Sequence, residues 1–146
     1  MPKLLEIVNA SWGWIGLNAV EIVGRNAFGN LLVVDDAGKY WRICPEELSC
    51  EVVSDNAAEF SSLVKSEEFQ IDWEMSRIVK LAQASLGKIP NGRAFYLVIP
   101  GIFGGAYDET NIKSVPLEEL ISFSGYWAEE IKDLPDGAQI KLRIID

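Results

Sequence analysis

The apolar period changes along this chain in an order that excludes a regularly alternating strand–helix fold. Leu4, Leu5, Ile7 and Val8 give a short helical pattern that ends near Gly13. Strand-like segments follow. Asn18 to Arg25 passes through Asn26-Ala-Phe-Gly-Asn30 into the apolar run Leu31 to Val34. Asp35-Asp36-Ala37-Gly38 supplies a turn, because Asp and Gly accept the backbone angles a tight reversal needs. Tyr40 to Cys44 completes a meander of three, and Glu51-Val52-Val53 adds a short strand.

The middle of the chain reads as helical. Asp55 and Ser66 are candidate N-caps, and Glu67 and Glu68 follow Ser66 in a first turn where the helix dipole favours anions. Ile71, Met75, Ile78, Val79, Ala82 and Leu86 keep helical spacing through one segment that Gly87 stops. Arg93 to Ile99 is a buried-type strand. Pro116, at a first helical position, opens the clearest helix, with Leu117, Leu120, Ile121, Ser124, Trp127, Ala128 and Ile131 on one face. Pro135-Asp136-Gly137 then turns the chain into a last strand, in which Ile140, Leu142 and Ile144 alternate with polar residues. A run of strands, then helices, then strands around one helix is α+β order. It predicts a mostly antiparallel sheet with helices packed on one face, in a single domain over 1–146.

Composition narrows the chemistry. The 146 residues include no histidine and two cysteines, Cys44 and Cys50. Ser-His-Asp and Cys-His catalysis and histidine-dependent metal sites are therefore unavailable, and two thiols do not make a four-thiolate zinc site. No twelve-residue window has the alternating oxygen ligands of a calcium loop. No cofactor or metal is expected. The thiols read as reduced, small packing residues. No secretory signal or spanning segment is visible: the most apolar stretch, Phe95 to Tyr107, is broken by Pro100, Gly101, Gly104 and Gly105. The expectation is a cytoplasmic protein that does not enter a membrane.

The net charge of −9 sits in one place. Residues 35–74 hold eleven acids against Lys39, Arg42 and Lys65, a local balance of −8, and the rest of the chain carries −1. Such charge argues against nucleic-acid binding, since phosphates are repelled. A charge run is most often a solvated face. The functional alternative is an acidic surface that steers a basic protein partner and speeds its association.

The acidic pairs Asp35/Asp36, Glu46/Glu47, Glu67/Glu68 and Asp108/Glu109 lie at turns and helix starts, where carboxylates are solvated or capping rather than driven apart in pKa for acid–base work. Phe103-Gly-Gly-Ala-Tyr-Asp108 lacks the Gly-Lys-Ser/Thr of a phosphate loop, and its glycines read as a tight turn. Of the five tryptophans, Trp41, Trp73 and Trp127 fall in apolar-periodic elements and read as core. Trp12 and Trp14 flank Gly13, and packing is the first reading for both, with Trp14 the candidate surface anchor.

Three stretches taken in order, Asn26-Ala-Phe-Gly-Asn30, Tyr40-Trp-Arg-Ile-Cys-Pro-Glu-Glu47 and Gly104-Gly-Ala-Tyr-Asp108, carry a resemblance. Followed by the turn Asp133-Leu-Pro-Asp-Gly-Ala138, the chain from about Trp14 to Asp146 resembles the C-terminal domain of Tdi-type immunity proteins, the partners of type VI secretion DNase effectors. Tyr40 to Glu47 is the most specific piece. Members often carry a further N-terminal domain, for which this chain has no room. More distantly, the acidic α+β pattern is similar to immunity proteins related to yeast cell-wall regulators. The resemblance implies a non-enzymatic protein that binds a cognate toxin effector, a basic nuclease, and obstructs its active site or substrate path. It implies that Glu46, Glu47, Asp108 and Glu109 contact the partner, followed by Glu67 and Glu68; Trp14, as the candidate surface anchor, is the one partner-contact residue read apart from the resemblance. The alternative is a non-catalytic interaction or ligand-binding module. An enzyme would have to rely on carboxylates or Tyr107.

Overall fold

The computed structural model describes residues 2–134, so the turn at Pro135-Asp136-Gly137 and the strand expected around Ile140, Leu142 and Ile144 lie outside the described residues. The first helix, α1 (Pro2–Trp12), leads through a tight 3-10 turn into β1 (Ala19–Arg25), β2 (Leu31–Asp35), β3 (Tyr40–Cys44) and β4 (Ser49–Ser54). These four strands form one antiparallel sheet in sequence order. Asp35 accepts hydrogen bonds from the backbone of Ala37 and Lys39 and from the Trp41 indole, which fixes the β2–β3 turn the sequence announces. Burial raises the Asp35 pKa, but these donors and the Lys39 charge outweigh it, and the carboxyl lies below its ordinary value.

Three short helices follow, α2 (Ala57–Lys65), α3 (Glu67–Glu74) and α4 (Ser76–Leu86). Ser66 caps α3 as expected, accepting from the Phe69 N–H. Asn56, not Asp55, caps α2: its side chain accepts from the Glu59 N–H, while the Glu59 carboxylate accepts from the Asp55 N–H. The expected single helix through Ile71 to Leu86 is broken at Met75, a non-glycine residue at φ 48°. That conformation costs about 1 kcal/mol or more.

A second, two-stranded antiparallel sheet pairs β5 (Arg93–Leu97) with β6 (Ile112–Pro116), and α5 (Leu117–Ile131) closes the described chain. β6 is absent from the sequence reading, and Pro116 stands at the N-cap of α5, one position before its first turn. The expected stripe is inside: Leu117, Leu120, Ile121, Ser124 and Ala128 are buried, while Trp127 and Ile131 are half-buried.

Two cores hold this together. The larger joins Val8 and Trp12 of α1, Leu31, Val33, Ile43 and Cys50 of the four-stranded sheet, and Leu117, Leu120 and Ile121 of α5. The smaller joins Phe28, Ile78, Ala82, Phe95, Leu97 and Ile112 beneath α4. The architecture is the expected α+β arrangement of antiparallel strands with helices on the core face. In addition, α2 and α3 cross the other side of the large sheet, where Tyr40 stacks on Phe60 with ring centroids 4.0 Å apart and Arg42 lies over Trp73. Neither helix contains a fully buried residue.

Cys44 and Cys50 are both free thiols on the β3–β4 pair, and burial pushes each up to about 12. A thiolate is the reactive form. The folded protein is therefore expected to react slowly with Ellman's reagent and to release two equivalents only in denaturant. Two fast equivalents from the native protein would contradict this packing.

Candidate functional site

A concavity lies at the break at Met75. A cavity of about 450 Å³ opens between the end of α3, the start of α4 and the loop that carries Tyr107. Its lining includes Ile71, Asp72, Glu74, Arg77, Ile78 and Tyr107. Asn26 holds the break in place: its amide donates to the Trp73 carbonyl at 2.9 Å and lies 3.5 Å from the Met75 sulfur. Its carbonyl oxygen accepts from the backbones of Phe28 and Asn30. One side chain thus ties the β1–β2 loop to the α3–α4 joint.

The Tyr107 wall is built by close backbone packing. Gly105 lies against the Ile99 carbonyl, and a Cβ there would stand 1.7 Å from that oxygen, so no side chain fits. Asn111 completes the loop, donating to the carbonyls of Ile99 and Ala106 and accepting from the Ile99 N–H. The glycine pair thus makes a tight turn, as its sequence suggests.

Glu47, Asp108 and Glu109 gather around this wall. The Tyr107 hydroxyl donates to the Glu47 carboxylate, and burial raises the Glu47 pKa. Asp108 accepts from the Thr110 N–H and hydroxyl, and with the Arg77 charge these bonds hold its carboxyl below the ordinary range. Glu109 is exposed. Arg77, which also lines the cavity, reaches the Tyr107 carbonyl at 3.5 Å. Glu67 and Glu68 are exposed on the first turn of α3, about 10 Å along the helix from Glu74.

Two expected contact residues are placed elsewhere. Glu46 is 7% exposed: Pro45–Glu47 forms a 3-10 turn that points Glu47 outward and Glu46 inward. There it accepts from the Asn30 amide at 2.7 Å, and burial raises its pKa. Asn30 in turn accepts from two nitrogens of Arg42, which also pairs with Asp72 on α3. Glu46 therefore anchors an internal chain of polar contacts that reaches α3. Trp14 is half-buried, stacks on Trp12 with centroids 5.9 Å apart, and donates to the Ser11 carbonyl. It belongs to the α1 corner rather than to the groove.

The sequence reading missed Asp72, Glu74, Arg77 and Ile71 as site residues. Ile71 carries a retrospective signal: it occupies an apolar position of the helical pattern yet is 65% exposed. Among the described residues no group of His, Cys, Asp or Glu is clustered to hold a metal ion, and no helix is long and apolar enough to cross a membrane.

The described chain is thus an α+β fold with an open groove between α3, α4 and the Tyr107 loop. Its sequence matches the family described as "T6SS immunity protein Tdi1, C-terminal" over residues 54–126, and the chain belongs to that family. Of the three stretches that carry the resemblance, only Gly104 to Asp108 lies inside this match, which also contains α3, α4 and the whole cavity lining. No curated protein matches. The fold is similar to that in the crystal structure of Atu4351 from Agrobacterium tumefaciens, at a TM-score of 0.55 and 18% identity over 85% of this chain. The chain spans 63% of that protein's length.

Proposed function

We propose that this chain neutralises a secreted toxin effector, a basic nuclease, by binding it in the cytoplasm and obstructing its active site or substrate path. No catalytic step is required of the chain. Membership of a type VI immunity family supports the effector as partner. The observation that carries the reading is the set of carboxylates at Tyr107: Glu47, which accepts from its hydroxyl, and the adjoining Asp108 and Glu109, with Glu74 of α3 lining the same cavity as Tyr107. A nuclease must present cationic groups to phosphate, and carboxylates fixed in a groove are suited to occupy such groups.

Co-expression with the effector encoded beside this gene tests the reading. Cells are expected to survive, and a stoichiometric complex should persist through purification. Association should slow steeply as salt rises, because exposed charges steer the encounter. Continued killing with no recoverable complex would defeat the proposal.

A further inference from the structure

Helix α3 carries two features that cost stability and return nothing to the fold. Glu74 places an exposed negative charge in the last turn, where the helix dipole disfavours anions, and has no ion-pair partner among the described residues. Ile71 leaves most of an apolar side chain in water, with Glu67 and Glu74 on the same helical line at spacings of four and three. The helix Glu67–Glu74 contains four acids and no base. Asp72 alone of these is neutralised, by Arg42. The result is an exposed apolar knob bordered by uncompensated carboxylates at the lip of the cavity.

We infer that this lip is the centre of the effector interface, and that it takes a segment of the partner in which an apolar side chain is flanked by Lys or Arg. The apolar residue packs against Ile71, Met75 and the Tyr107 ring, where water is displaced. A flanking cation reaches Glu74, the cavity-lining carboxylate with no ion-pair partner among the described residues, while Arg77 already lies near Asp108 at the far side. Charge complementarity selects a basic segment over an acidic one, and the apolar floor separates it from a nucleic-acid strand, whose phosphates α3 repels. The inference rests on the immunity reading and locates its contact surface.

The test is binding of the purified chain to the adjacent-gene effector, made catalytically inactive, at fixed ionic strength. The double variant I71R/E74R alters two exposed side chains and should keep the wild-type urea midpoint. Its affinity is expected to fall about 30-fold or more, the scale of a lost interface hot spot. F123R/E130R makes the same charge change on exposed residues of α5 and should bind within about 3-fold of wild type. The single variant E74Q, which adds no charge, should weaken binding several-fold and covers the case in which the double variant folds poorly. If wild type binds while I71R/E74R and E74Q bind equally well, the lip is not the interface, and the immunity reading stands. If both double variants lose affinity alike, binding follows net charge and the localisation is wrong. If wild type does not bind the effector, the immunity reading fails and this inference falls with it.

Discussion

Gly125→Val is expected to cost about 3 kcal/mol of stability or more, by forcing α1 and α5 apart. Gly125 is buried in α5 against α1: a Cβ there would lie 2.3 Å from the Ser11 carbonyl oxygen and 2.7 Å from the Ser11 Cβ. The oxygen belongs to backbone and cannot swing away. The two helices must therefore separate, and with them goes the contact of Val8 and Trp12 with Ile121. Valine has a slightly better helical propensity than glycine, a gain of a few tenths of a kcal/mol that the clash overwhelms. Urea denaturation measures the loss. Gly13→Ala, where nothing lies within 4 Å, should stay within about 0.5 kcal/mol of wild type. A wild-type midpoint for Gly125→Val would mean that α1 does not lie against α5.

Glu46→Lys is expected to be nearly as damaging, at about 3–5 kcal/mol, because it buries a cation beside Arg42 and removes the acceptor of the Asn30 amide. Charge reversal at this residue thus reports on folding rather than on partner binding. Glu46→Gln should do the opposite at neutral pH. Its amide oxygen still accepts from Asn30, and the buried carboxylate, whose charge burial disfavours, is gone. The sign follows from linkage. A carboxyl whose folded pKa is raised binds more protons folded than unfolded, so its contribution falls as pH rises from the ordinary carboxylate value through the folded one. Glu46→Gln should therefore be more stable than wild type at pH 7, by about 1 kcal/mol, and lose that advantage below about pH 4. A variant less stable than wild type at pH 7 would show that Arg42 and Asn30 more than compensate the buried charge.

These two residues also mark what the sequence makes legible. The α5 stripe is readable because fifteen residues keep one period, and Ser124 and Ala128 hold their places in it. β6 is not, because its five residues offer only Ile112 and Val115 as apolar positions before Pro116. The break at Met75 is hidden for a different reason. Ile71, Met75 and Ile78 preserve helical spacing across it, and the force that turns the chain comes from Asn26, nearly fifty residues away in sequence. The site shows the same division. That residues 35–74 are acidic is plain from composition, but neighbouring Glu46 and Glu47 part company, one inward and one outward, by a single 3-10 turn after Pro45. Asp35 and Asp72 likewise serve the fold, one in a turn and one beside Arg42.

That α2 and α3 bury no residue fully has a consequence for how such a protein changes over generations. Helix α3 is pinned by a few side chains, Asn26, Arg42 and Trp73, while Glu67, Glu68, Ile71 and Glu74 are exposed and, apart from the modest dipole interaction of the first two, hold nothing in place. Substitutions at those four positions should be close to neutral for folding. The groove lip can therefore change in sequence while the two cores beneath it stay fixed.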